Sequence, residues 1–346
     1  MRLQPLFVSL ALAMPLTLLP AVPLLAAPAA ARQADTAPVL VTAAQWQQMA
    51  SEGSRYPWFA KEQARAEKSL KKMMKAGIDV PVPKDKGGGR THEQHKRNYQ
   101  ALLAAGTLYR LTGDKAYVDY SRDMLLQYAR LYPTLGPHPE GRGQIPGRVF
   151  WQVLNDSVWL VNAIQGYDAI RDALSAQDRQ TIESQLFRPM AEFLISEPKN
   201  YDQIHNHATW AVAATGMTGY VLRDPELVEK WLRGSQKDDK FGFLRQIDLL
   251  FSPDGYYEEG PYYQRYALGP FLLFANAIER NEPQRKIFQR RDGVLLKAVD
   301  VLVQSSYGGL FSPSTMRSAT RASTPRSWWP ASASPTHAPA MTACCR

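Results

Sequence analysis

Cysteine is almost missing from this 346-residue chain: only Cys344 and Cys345 occur, side by side. A disulfide between neighbours is strained and nothing else can pair with them, so neither a disulfide framework nor a cysteine-ligated metal holds the fold. Beyond residue 31, no run reaches the roughly 18 apolar residues that a membrane-spanning helix needs. Alternating strand-like runs are also lacking, as is a fixed-period repeat of the TPR or HEAT kind. Gly87-Gly88-Gly89 is not followed by Lys-Ser or Lys-Thr, which excludes a phosphate-binding loop and makes Val80–Arg90 a flexible rim loop. Acidic residues vanish from Ser314 onward.

What is present is ordinary globular composition, 45% hydrophobic and 21% charged, with a mean hydropathy of −0.34. Met1-Arg2, the apolar stretch Leu6–Leu25 and the small residues Ala29-Ala30-Ala31 read as a secretory signal peptide over residues 1–31. The expected location is therefore periplasmic or secreted. The net charge is +9 and the pI about 9.4; outside the cytoplasm this favours an acidic polysaccharide as partner over nucleic acid or a membrane surface. From residue 314 to 346, Ser, Thr, Ala, Pro and Arg dominate. A disordered tail would look like this, and so would a shifted reading frame, which resequencing of the locus decides.

Between these ends helical periodicity dominates. Tyr117, Tyr120, Met124, Tyr128 and Leu131 recur at steps of three and four, as do Trp151, Leu154, Val158, Val161 and Ile164. Similar patterns run through 61–74, 95–111, 176–195, 208–222, 244–251, 266–278 and 293–303. Thr112-Gly113-Asp114, Leu174-Ser175, Arg223-Asp224-Pro225 and Asn281-Glu282-Pro283 punctuate them as helix stops and N-caps. The chain is thus expected to be all-α, with antiparallel helical hairpins over residues 32–313 that close into a ring or stack as a solenoid. Pro133–Arg148, rich in helix breakers, is expected to edge a cleft.

Three clusters could carry chemistry. His205-Asn206-His207 precedes Trp210 and an apolar helix, which sets Asn206 and His207 at a helix mouth where backbone N–H groups and the dipole favour an anion. Left alone, an Asn-His pair reads first as an N-cap and a core histidine; the two histidines that flank Asn206 weigh against that. Ser252–Tyr266 reads as a loop with two turns, at Asp254-Gly255 and Gly260-Pro261. Its five tyrosines and one arginine within eleven residues suit stacking on pyranose faces and suit a packing loop equally well. His92 and His95 have a spacing compatible with metal ligation, but a solvated basic helix face is the commoner cause, and no metal is assigned.

The segments Asn206-His207-x-x-Trp210 and Asp254-Gly-Tyr-Tyr-Glu-Glu-Gly-Pro-Tyr-Tyr-Gln-Arg-Tyr266, in that order and at that separation, resemble the alginate lyase and heparinase II/III-like polysaccharide lyases, with the oligoalginate lyases nearest. The resemblance covers about Thr91 to Phe311. It implies an α/α toroid, here incomplete, without the β-sandwich domain that follows it in that family and contributes to the cleft. It further implies β-elimination on a uronate polymer, alginate first, with no cofactor. Asn206 and His207 would bind and neutralise the uronate carboxylate, Tyr263 would be the catalytic tyrosine, and Arg265 and Tyr266 would contact substrate. Gln152 resembles a further cleft residue, and Tyr257 and His205 join the expected sugar-binding set. The rival readings are a glycoside hydrolase on the same architecture, for which Asp254, Glu258 and Glu259 are available, and a non-catalytic module that binds acidic polysaccharide.

Overall fold

The computed structural model describes residues 37–307 and 310–311; the signal-peptide and tail readings lie outside the described residues. Thirteen helices follow one another there: α1 (Ala43–Glu52), α2 (Pro57–Ala76), α3 (Arg90–Thr112), α4 (Lys115–Leu131), α5 (Val153–Ile170), α6 (Ala176–Ile182), α7 (Arg188–Ile195), α8 (Pro198–Tyr201), α9 (Asn206–Leu222), α10 (Pro225–Arg233), α11 (Gly242–Leu250), α12 (Pro261–Asn281) and α13 (Arg290–Gln304). A two-residue strand pair, Ser306–Tyr307 with Leu310–Phe311, comes last.

The punctuation read from the sequence acts as expected. Gly113 ends α3 in the left-handed region (φ 75°), and the Asp114 side chain accepts the Ala116 N–H to open α4. Ser175 caps α6 through the Asp178 N–H, and Asp224 caps α10 through the Leu227 N–H. Each such cap supplies about 1 kcal/mol by satisfying an otherwise orphaned donor.

Two kinds of helix result. Helices α5 and α9 are buried on nearly every face, and no Asp, Glu, Lys or Arg occurs between Asn206 and Leu222; such helices belong inside. Helix α10 buries only Leu227, Val228, Trp231 and Leu232, the stripe of an outer helix. Successive inner helices α3, α5, α9 and α12 pack side by side and run the same way. At one end of the α3–α5 pair, the rings of His92 and Phe150 lie 5.0 Å apart; farther along, a Cβ on Gly106 would fall 2.5 Å from the Gly166 carbonyl oxygen. Likewise Trp210 meets Tyr266 near the starts of α9 and α12, and Gly216 meets Phe274 deeper in. The glycines allow that approach: a Cβ on Gly166 would sit 2.4 Å from the Leu102 carbonyl oxygen, so any side chain there must displace backbone.

This is an α/α toroid, as expected, with the N-termini of its inner helices gathered at one end. Their dipoles and free N–H groups therefore add at that end, which favours anions. The opposite side carries a tie: buried Asp168 of α5 accepts the Val39 N–H at 3.0 Å and the Leu40 N–H at 2.8 Å, fixing the start of the described chain to an inner helix. Burial pushes its carboxyl up to about 6, against the downward pull of those N–H groups.

Two expectations need correction. The rim loop is pinned: Thr91 Oγ accepts the Lys84 and Asp85 N–H groups, and the Asp85 carboxylate accepts the Thr91 N–H at 2.8 Å. His92 and His95 are buried, at 1% and 0% exposure, and face no solvent. Phe150, from the segment before α5, covers both rings, and His95 Nδ1 pairs with the Tyr128 hydroxyl at 2.7 Å. Desolvation holds them at about 4 and about 3, well below the usual histidine range.

Candidate active site

The site begins at the first turn of α9. His205 is its N-cap in extended backbone (φ −164°, ψ 154°), and its Nδ1 accepts the His207 N–H at 3.3 Å. Asn206 follows, 3% exposed, and its Nδ2 donates to Glu259 at 2.7 Å to Oε1 and 2.9 Å to Oε2. His207 is half-buried, its ring 4.7 Å from that of His205 and nearly perpendicular to it. Burial, then His205, pushes the His207 imidazole down to about 4, while Glu259 pulls it back up. His207 is therefore neutral at neutral pH.

The second wall is built by an unusual staple. Gln264 is fully buried; its Oε1 accepts the Tyr257 N–H at 3.2 Å and its Nε2 donates to the carbonyls of Gly255 (3.0 Å) and Ala298 (2.8 Å). One side chain thus ties the Ser252–Glu259 turn to α13. Gly255 must be glycine: φ is 92°, and a Cβ would lie 2.4 Å from the Ala298 nitrogen. Gly260, at φ 83°, then turns the chain so that Pro261 takes the first position of α12. The stretch read as loop up to Tyr266 is consequently helical from Pro261, and this corrects the sequence expectation. Rigid first-turn placement, not a mobile loop, presents Tyr262 and Tyr263, 51% and 44% exposed. Their rings meet edge to face at 5.5 Å, and the Arg265 guanidinium lies 4.5 Å above the Tyr262 ring.

The two walls touch at two points. Besides the Asn206–Glu259 pair, Trp210 and Tyr266 rings lie 5.0 Å apart, and desolvation raises the Tyr266 phenol well above its ordinary value. Asn206, His207, Tyr263, Arg265 and Tyr266, drawn from segments some fifty residues apart, thus stand on adjoining helix starts. Tyr257 belongs elsewhere. It is fully buried against Phe251, with its hydroxyl donating to Glu259 Oε1 at 3.2 Å, so it supports the wall and offers no ring to a sugar. Gln152 occupies the N-cap position of α5, half-buried, its Nε2 donating to Gln144 at 3.1 Å. Behind it, buried Asp156 accepts the N–H groups of Arg148 (2.8 Å), Val149 (3.3 Å) and Phe150 (2.8 Å). Burial lifts its carboxyl to about 7 against those bonds, and the cradle fixes the segment leading to Gln152.

Sequence reasoning missed the roles of Glu259 and Gln264. The Gly-Pro step fixes the register that turns Glu259 inward and leaves Glu258 exposed; before the fold is known, the two glutamates look alike. Of the carboxylates available to a hydrolase, Glu259 is engaged by Asn206 and Tyr257 and Asp254 by the Ser252 hydroxyl, while Glu258 is exposed. They share one turn, whereas glycosidic hydrolysis needs carboxyls facing each other across the bond. Among the described residues, no group of three or more His, Cys, Asp and Glu side chains is placed to hold a metal ion.

Comparison with known proteins agrees with this architecture. The family model for alginate lyase matches residues 37–309. An alginate lyase of Stenotrophomonas maltophilia strain K279a is 92% identical over 314 residues, 90% of this chain and 42% of the relative. An exo-oligoalginate lyase of Saccharophagus degradans is 59% identical over 254 residues, 73% of this chain and 34% of the relative. The chain therefore spans about two fifths or less of the length of these relatives. Among solved structures, an alginate lyase from Bacteroides ovatus superposes with a TM-score of 0.56 at 13% identity, over 77% of this chain and 83% of that one. Alginate lyase A1-III from Sphingomonas species A1 gives 0.50 at 16% identity, over 66% and 65%; at such identities the likeness speaks for the fold alone.

Proposed function

This chain belongs to the alginate lyase family, and from that premise we propose that it is a polysaccharide lyase that cleaves alginate, or a closely similar uronate chain, by β-elimination. The observation that carries the reading is the meeting of the Asn206–His207 helix mouth with the Tyr263-bearing start of α12, through the Asn206–Glu259 hydrogen bonds and the Trp210–Tyr266 contact.

The chemistry asks for such a meeting. The C5 proton of a uronate lies α to a carboxylate and is too weakly acidic to leave while that carboxylate keeps its full charge. An Asn206 N–H, the free N–H groups of the α9 terminus and the Arg265 guanidinium stabilise the enolate-like transition state as charge moves onto the carboxylate oxygens. Neutral His207 takes the C5 proton. The C5–H electrons form the C4=C5 double bond, the C4–O4 bond breaks, and the Tyr263 hydroxyl gives O4 its proton. Water is not consumed. The half-exposed Tyr262 ring, with Arg265 above it, offers a stacking face to the adjoining sugar. Export to the periplasm or beyond, where the polymer is met, is part of the proposal and rests on the signal-peptide character of residues 1–31.

Absorbance at 235 nm, from the unsaturated uronate, tests the reaction class. Incubation with mannuronate- and guluronate-rich alginate, heparin and other uronate polymers is expected to raise it on alginate first. New reducing ends without absorbance would instead make the chain a hydrolase, and sugar binding without either would make it a binding module.

A further inference from the structure

Glu259 puts a carboxylate where the proposed chemistry least wants one, beside the group that is to receive a sugar acid. Its geometry explains why it is there. The Asn206 nitrogen lies 2.7 Å and 2.9 Å from the two Glu259 oxygens, the pattern of one N–H shared by both oxygens. An amide nitrogen has a second hydrogen, about 120° away, which that bond leaves for another acceptor. Without Glu259, the Asn206 amide could turn over and present its carbonyl oxygen, an acceptor that repels a carboxylate. The Glu259 carboxylate is itself held: the Tyr257 hydroxyl donates to Oε1 at 3.2 Å, Tyr257 is fully buried, and Gln264 clamps its backbone.

We propose that Glu259 is a positioning residue, acting through Asn206: its carboxylate keeps the Asn206 amide nitrogen inward, so that a hydrogen and not an oxygen meets the sugar carboxylate, and it does so at the expense of ground-state affinity. Two carboxylates near one amide repel, so the substrate binds less tightly than it would beside a neutral residue. Orientation is gained in return, and it is felt where charge develops. The inference deepens the lyase reading and rests on it for turnover, but its affinity component can be measured without turnover.

The test compares Glu259→Gln with the unaltered chain. Glutamine keeps the shape and one acceptor, but removes the charge and lets either end of the Asn206 amide face it. In a Tyr263→Phe background, where the sugar persists, calorimetric titration with a mannuronate trisaccharide is expected to give a Kd threefold to tenfold tighter for Glu259→Gln, on the order of one unit-charge repulsion in a partly wet site. With Tyr263 present, kcat is expected to fall by about tenfold or more, and the same substitution on an Asn206→Ala background is expected to change kcat by less than about twofold, since its effect passes through Asn206. A merely structural role moves neither the affinity upward nor the cycle away from additivity. A weaker Kd, an unchanged kcat, or additive losses would each overturn the proposal. Tyr257→Phe, which removes only the hydroxyl that steadies Glu259, gives a second variant of nearly unchanged volume: kcat is expected to fall severalfold, and an unchanged kcat counts against the idea. Absence of 235 nm product from the unaltered chain would sink the lyase reading, while the titration would still report on Glu259.

Discussion

Tyr263→Phe is expected to reduce kcat on alginate by on the order of 1,000-fold while leaving KM within about threefold. Phenylalanine keeps the ring, its edge-to-face contact with Tyr262 at 5.5 Å and its place on the first turn of α12; it removes only the hydroxyl. A positioned acid contributes about 10² to 10⁴ in rate, and 1,000-fold corresponds to about 4 kcal/mol of transition-state stabilisation. Stability should hardly change, because Tyr263 is 44% exposed. Initial rates at 235 nm over a substrate series check this, with thermal unfolding as control. A variant with full kcat would remove Tyr263 from the reaction, and a change confined to KM would make it a binding residue only.

The second large effect belongs to His207. His207→Ala is expected to lower kcat/KM by on the order of 100-fold to 1,000-fold, the range for loss of a general base. Its pH dependence separates the mechanism from mere packing. Burial and His205 hold the imidazole at about 4, against the pull of Glu259. A depressed pKa means the neutral, proton-accepting form persists down to that value. Activity should thus stay level as pH falls from 8 to 5 and be lost only as it passes through about 4. An acid limb near the ordinary histidine value of about 6.5 would mean either that His207 is more open to water than its burial indicates or that another histidine takes the proton.

Much of the scaffold is legible in the sequence because its signals are local. Gly113-Asp114, Ser175 and Asp224 announce their caps by residue type, and the charge-free stretch Asn206–Leu222 announces an inner helix. Helix α10 escapes notice because it is only nine residues long and begins at Pro225, so that Arg223-Asp224-Pro225 reads as an interruption between longer helices. The start of α12 is hidden for a related reason. Its first turn displays Tyr262, Tyr263 and Arg265 outward, which leaves no apolar period for the eye to follow, and only the Gly-Pro step betrays the boundary.

The site divides in the same way. That Asn206 and His207 stand at a helix mouth follows from the apolar run behind them. That Asn206 spends one hydrogen on Glu259, 53 residues away, follows from the packing of α9 against α12, which no local pattern encodes. The buried state of His92 and His95 is equally long-range, since the ring that covers them, Phe150, comes from the segment before another helix. Tyr257 shows the reverse error: a tyrosine among exposed tyrosines is expected to stack on a sugar as they would, although its place in the turn points it into the core.

Every step proposed above requires that a sugar acid lodge between the start of α9 and the start of α12. A structure of the Tyr263→Phe chain with a mannuronate trisaccharide measures this directly. The expected result is a uronate carboxylate oxygen about 3 Å from Asn206 Nδ2, the His207 ring facing C5 of the same sugar, and the ring at position 263 beside the O4 it would otherwise protonate. A trisaccharide bound away from both helix starts, or with its carboxylate turned from Asn206, would contradict the account.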